Sequence, residues 1–314
     1  MTTVDEKTRS IFYRFFKYQK ERFSFIQNGM LIAAFTFSAA SYSRICRGHD
    51  TFIPVDIFVI GFITSFIFFF LLRIFDEFKD FEKDSKYQPY RAVPRGLVSL
   101  KELAWLATGL IGLQLIINVF FMPVMLIAYT IVMAYMALMT KEFFVKSWLC
   151  NHPMAYMVSH MMIMPLIDFY TTGLDWLNSD VSPPSGLIYF LAVTFFNGII
   201  IETGRKIRAP EAEEEGVETY SSIFGAKKAT FIWMGVLVVT FCFALKAAHS
   251  AGFGWPAFLI LFIIKIICVI PAFRFLKTRE NRFAKQIELS SGIWTIGMYL
   301  TLGGIPMFIF LLLS

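Results

Sequence analysis

The sequence predicts an all-α, polytopic membrane protein with about nine transmembrane helices around a central cavity. Three observations lead there. Hydrophobic residues make up 57 % of the 314 positions, with 37 Phe and a mean hydropathy of +0.62. That is more apolar surface than a soluble domain of this length can hide. The apolar residues gather into runs near the ~20 residues that cross a bilayer as a helix. The Lys and Arg residues fall almost entirely on one side of those runs.

Residues 1–22 are charged and lack a cleavable signal pattern. They form a cytoplasmic N-terminal segment in which Ile11, Phe12, Phe15 and Phe16 interleave with Arg14 and Lys17. Such a pattern suits a short helix lying on the membrane surface; a disordered basic tail is the competing reading. Residues 23–314 form the transmembrane domain, with apolar stretches at 23–43, 52–75, 103–120, 122–139, 153–170, 186–203, 229–248, 254–274 and 291–313. The third and fourth are nearly continuous, and Pro123, shortly after Asn118, marks the break between them. Were they one helix, every later loop would change sides. Charge decides for two: with nine spans and an inner N-terminus, only Arg44, Arg47 and Lys246 of the 29 basic residues face outward, and Lys265 lies within a span. This asymmetry satisfies the positive-inside rule. It also accounts for the net charge of +6 without nucleic acid, for which no basic-aromatic module is visible. The expected location is an inner (plasma) membrane, bacterial, with the N-terminus and two long loops, 76–102 and 204–228, in the cytoplasm.

The chemistry belongs to those loops. Asp76, Asp80 and Asp84 recur every four residues directly after an apolar run, with Glu77 beside them, so on a continuing helix they make one slowly drifting stripe. Packed carboxylates repel unless a cation neutralises them, and oxygen-only ligands favour Mg²⁺ or Ca²⁺. Mg²⁺ takes one or two protein carboxylates and completes its shell with water and substrate phosphate. A phosphorylated substrate arriving with metal is therefore the natural partner. The bland alternative is a solvated helix end in which Lys79 and Lys83 offset the acids. The second loop mixes Glu202, Glu211 and Glu215 with Arg205, Lys206 and Arg208. Within the spans, Asn28 and Asn197 can orient substrate or hydrogen-bond between helices. Lys265 can snorkel or meet a carboxylate, and Asp168 is expected to reach interfacial water near the outer end of its span. The four Cys and four His are scattered, which disfavours a disulfide framework or a zinc site.

Nine spans with acidic inner loops after the second and sixth resemble the UbiA superfamily of intramembrane prenyltransferases. The family's first motif, Asn-Asp-x-x-Asp-x-x-x-Asp, is met at Asp76, Glu77, Asp80 and Asp84; the last two match directly, and the first two are replaced by Asp and Glu. The family's following Arg and Gly find counterparts in Arg91 and Gly96, then Ser99, without the expected first Pro. Tyr135 and Lys141 stand where the family often carries a Tyr and a basic residue. The second motif departs: Gly216, Thr219 and Gly225 fit its tail, but its aspartates are missing. Either Glu202, Glu211 and Glu215 hold a second metal, or the basic trio binds diphosphate directly and fewer metals are needed, or catalysis is altered or lost.

The resemblance implies Mg²⁺ held by Asp76, Glu77, Asp80 and Asp84, helped by Glu202, Glu211 or Glu215. It implies a prenyl diphosphate whose departing group is steadied by Arg91, Lys141, Lys206 and Arg208, with Asn28 and Asn197 as further substrate-binding positions. The isoprenyl group would pass to a lipophilic or aromatic acceptor, with the tail among membrane lipid and aromatic walls. A terpene cyclase or a polyprenyl-phosphate phosphoribosyl transferase could use the same site. A transporter without lipid chemistry is the reading from another class; against it, the acids sit at the rim rather than at mid-membrane.

Overall fold

The computed structural model describes residues 6 and 8–313, and all regular structure among them is helical. The remaining residues of the N-terminal segment, 1–5 and Lys7, lie outside that description. Helix α1, Ile11–Arg22, starts where the Ser10 hydroxyl accepts from the Tyr13 N–H. Its apolar face, with Ile11, Phe12 and Phe16, stays exposed, as a helix lying on a bilayer requires. A 55° bend separates it from α2, Phe25–Cys46.

Helix α3, Val55–Tyr87, has 33 residues. At 1.5 Å per residue it is about 50 Å long, well beyond the ~30 Å hydrocarbon core. Its last three turns therefore run out of the membrane and carry the acidic stripe. A Ser99–Glu102 capping box opens α4, Leu100–Phe121. Pro123 then breaks the chain as expected: it begins a 3₁₀ turn, and α5 follows as Leu126–Thr140.

Four helices follow: α6 (Lys146–Asn151), α7 (Pro153–Met161), α8 (Ile163–Trp176) and α9 (Leu187–Arg205). The fifth apolar stretch, expected as one span, is thus two short helices. Pro165 has no N–H to offer the carbonyl four residues earlier, that of Met161, so the first helix stops there. After the short α10 (Tyr220–Phe224) come α11 (Ala226–Ser250), α12 (Gly254–Thr278) and α13 (Asn281–Tyr299). A π turn at Leu300–Gly304 leads into α14 (Ile305–Leu313). Pro306, which again lacks a donor, adjoins that wider turn. By length and composition, seven segments of the described residues can cross a membrane, or eight with the bent α1–α2 pair; the count of nine would need α7 and α8 to cross as one.

Two apolar clusters fill the bundle. One is centred on α3, α4, α5 and α8, the other on α9 and α11–α13, and α2 contributes to both. Loops 76–102 and 204–228 gather at one end, together with α1 and the α5–α7 connection. Arg44 and Arg47 sit at the other end, where both pair with buried Asp175. Asp168 corrects the sequence expectation. It does not reach interfacial water but is 4 % exposed and receives hydrogen bonds from Tyr299 and Thr171. A carboxylate facing inward is indistinguishable in sequence from one facing out when both lie on an apolar helix. Lys265 meets no carboxylate among the described residues; its ammonium stands 3.9 Å from the centroid of the Phe241 ring, a cation–π contact.

Candidate active site

The four acids of the first loop divide into two pairs. With 3.6 residues per turn, successive members of the Asp76–Asp80–Asp84 stripe drift by about 40°, and Glu77 points about 100° away from Asp76. Glu77 is 1 % exposed and is held by Arg22 at 2.6 Å and Arg73 at 3.0 Å. Asp84 is buried, and Arg91 grips it at 2.6 Å. Arg91 can turn back because the chain closes tightly after α3. Gln88 N–H caps the Asp84 carbonyl, Leu97 N–H reaches the Ala92 carbonyl, and Gly96 takes φ +78°, a conformation that favours glycine. Arg95 binds Glu21 at 2.8 Å and so ties this turn to α1.

Asp76 and Asp80 remain open. The Asp76 side chain is 42 % accessible, with Lys79 4.0 Å away. Asp80 is partly exposed and makes no ion pair within 4 Å among the described residues. These are the two carboxylates of the stripe free to receive something from outside.

The facing wall is the end of α9. Glu202 is 9 % exposed, and each of its oxygens is taken: Arg205 binds one at 2.6 Å and Lys206 the other at 2.7 Å. Lys206 also lies 5.4 Å from the Tyr220 ring centroid. Arg205 keeps 56 % of its side chain accessible and lies within Coulombic range of Asp76. The loop beyond folds back through Tyr220 N–H to the Lys206 carbonyl and Arg208 N–H to the Ser221 hydroxyl. It crosses to the first loop by Gln88–Glu214 and Lys83–Glu218 contacts at 3.4 and 3.7 Å. The two loops read from the sequence as one chemical face do come together.

Other candidates are placed elsewhere. Arg208 binds Glu214 at 3.0 Å. Glu211 is exposed and accepts from the Asn281 N–H, and Glu215 is exposed on the same loop. Lys141 is exposed at the end of α5. Asn28 donates to the Ser24 carbonyl one turn back, and Asn197 accepts from the Trp294 indole, an interhelical bond.

One cluster was missed. Lys79 donates to the Tyr156 hydroxyl at 2.7 Å and stands 3.5 Å from buried Glu142. Glu142 in turn lies 3.2 Å from His160 Nε2. The Tyr156 carbonyl, 2.8 Å from His160 Nδ1, can only accept, so Nδ1 carries a proton. Tyr156 and His160 stack at 3.9 Å. Burial pushes the Glu142 carboxyl up, but His160 and Lys79 outweigh it and hold it below the usual carboxylate range. The turn carrying Glu142 has three successive non-glycine residues, Glu142, Phe143 and Phe144, at φ +50° to +60°, an uncommon backbone that the ion network secures. The four-residue spacing of Tyr156 and His160 on one helix was the only local signal.

Among the described residues no three His, Cys, Asp or Glu side chains converge on a metal-sized site. Mg²⁺ does not require that. Asp76 and Asp80, open and one turn apart, fit one ion that draws its other oxygens from water and a phosphorylated ligand.

The sequence profile of the UbiA prenyltransferase family matches residues 32–312. A solved structure of a digeranylgeranylglyceryl phosphate synthase superposes on 97 % of this chain and 99 % of its own, with a TM-score of 0.62 at 14 % identity. No curated protein matches.

Proposed function

The chain belongs to the UbiA prenyltransferase family, and from that premise we propose that it transfers an isoprenyl group from a prenyl diphosphate to a lipophilic or aromatic acceptor at the cytoplasmic face of its membrane. One observation carries the reading: two open carboxylates, on a helix that runs out of the bilayer, face a cationic pair on the end of another. A diphosphate needs both walls. Its oxygens would be met by Mg²⁺ on Asp76 and Asp80 from one side and by Arg205 and Lys206 from the other. When bound, Mg²⁺ supplies Lewis-acid neutralisation of the leaving group.

The chain's own residues do the rest. Arg205 and Lys206 are held in place by Glu202, so their charge is aimed before the C–O bond breaks, and preorganised charge is the largest usual source of rate. Arg presents a planar fork to two phosphate oxygens, whereas Lys acts as a point charge. Lys79, fixed by Tyr156 and Glu142, adds positive charge beside Asp76 without occupying it. Arg91 acts through Asp84 by holding the loop. The isoprenoid tail extends into the bilayer, and the acceptor attacks the allylic carbon as diphosphate leaves. A bacterial inner membrane is the location we assign.

Labelled prenyl diphosphates of several lengths, incubated with the protein and a membrane lipid extract, test this. Label recovered in a larger lipid supports transfer. Label recovered as free hydrocarbon or alcohol, with extract and without, would indicate a cyclase or hydrolase instead.

A further inference from the structure

We infer that this site works with a single metal ion, and that Arg205 and Lys206 are the permanent counter-cations where a second carboxylate-bound metal would otherwise sit. The inference rests on the prenyl-diphosphate reading and specifies its electrostatics. A second ion on the α9 wall would need open carboxylate oxygens there. Glu202 is the wall's buried carboxylate, and its two oxygens are already bound at 2.6 and 2.7 Å by different cations. Admitting a divalent ion would mean placing it against a guanidinium and an ammonium. Glu211 is exposed and accepts from the Asn281 N–H, and Glu215 is exposed on the same loop, so neither is buried on the α9 wall as Glu202 is.

The opposite wall behaves differently. Among the described residues, Asp76 and Asp80 have no cation within 4 Å other than Lys79 at 4.0 Å from Asp76. Yet Arg205 lies within Coulombic range of Asp76 and leaves more than half its side chain open to a ligand. An anion placed between the walls therefore meets positive charge on one side and an open pair of carboxylates on the other. It needs one divalent ion to bridge it to those carboxylates and none to reach the α9 wall. Lys206, on the far oxygen of Glu202 and over Tyr220, shares with Arg205 in neutralising that carboxylate.

The test counts metal rather than turnover. Full-length protein in nanodiscs is dialysed to equilibrium against inorganic diphosphate and Mn²⁺, and bound diphosphate and bound Mn²⁺ are counted, with EPR reporting any coupling between ions. The expected result is one uncoupled Mn²⁺ per bound diphosphate. Arg205→Ala is expected to weaken diphosphate at least tenfold without changing that ratio, and Arg205→Lys to recover part of the loss. Glu202→Gln should leave the ratio at one. Two coupled Mn²⁺ per diphosphate, or a metal lost on Glu202→Gln, would overturn the inference and leave the prenyl-diphosphate reading standing. No bound diphosphate at any metal concentration, in protein whose thermal unfolding shows it folded, would overturn both.

Discussion

Asp80 and Asp84 stand one helical turn apart and have opposite surroundings. Asp80 is open at the mouth, whereas Asp84 is sealed against Arg91. Open and sealed acids of this helix should therefore fail in different ways when substituted. Asp80→Asn is expected to leave the unfolding temperature near wild type and to lower diphosphate release roughly 10²-fold or more, the scale of losing one aimed electrostatic partner. Glu77→Ala should do the reverse first: it leaves Arg22 and Arg73 short of their buried partner, and breaking such a pair costs ~3–5 kcal/mol, read as a lower unfolding temperature in detergent. Glu142 supplies a pH signature. Its carboxyl is held below the usual range in the folded protein, so the stability it contributes is complete at neutral pH and is lost as the pH falls through that lowered value. Glu142→Gln should flatten the acid arm of the stability curve, and an unchanged acid arm would refute the assignment. The four-residue spacing made Asp76 and Asp80 legible in the sequence. The partners of Glu77 and Glu142 were not, because Arg22 is 55 residues from Glu77 and nothing local records which side of α3 is already occupied.

At the scale of elements, α3 makes the site by its length: an apolar run followed without interruption by charged residues of good helix propensity gives one rod that leaves the membrane. That was readable, as was the break at Pro123. The fifth stretch was not, because hydropathy averages over Pro165 while the backbone cannot. The π turn beside α2 was equally hidden. There Gly303 lies against the Ser38 carbonyl, and a Cβ built on it would stand 1.9 Å from that oxygen. Gly303→Ala must push α2 and the turn apart. Overpacking of this kind costs ~1–3 kcal/mol or more, so a fall in unfolding temperature is expected, with the metal ratio of the distant mouth unchanged; an unaltered temperature would show that the contact yields cheaply.

At the scale of the whole molecule, composition and the apolar runs sufficed to read an all-helical membrane bundle. The bundle does bring loops 76–102 and 204–228 into contact. What composition could not supply was the inward direction of Asp168 and the neutralisation of Glu202, since both depend on neighbours chosen by packing. Orientation has its own check. With the N-terminus inside, Ser85→Cys at the end of α3 should react with an impermeant maleimide in inside-out vesicles and stay protected in right-side-out ones; the opposite pattern would invert the topology. The central claim, that the mouth activates a prenyl diphosphate, is tested most directly by diphosphate release from purified protein. A panel of prenyl diphosphates is supplied with Mg²⁺ or with EDTA, and wild type is compared with Asp76→Asn and Asp80→Asn. Release that requires Mg²⁺ and collapses in both variants is the predicted result. Folded wild type that releases nothing from any chain length, with membrane extract present to supply acceptors, would contradict it.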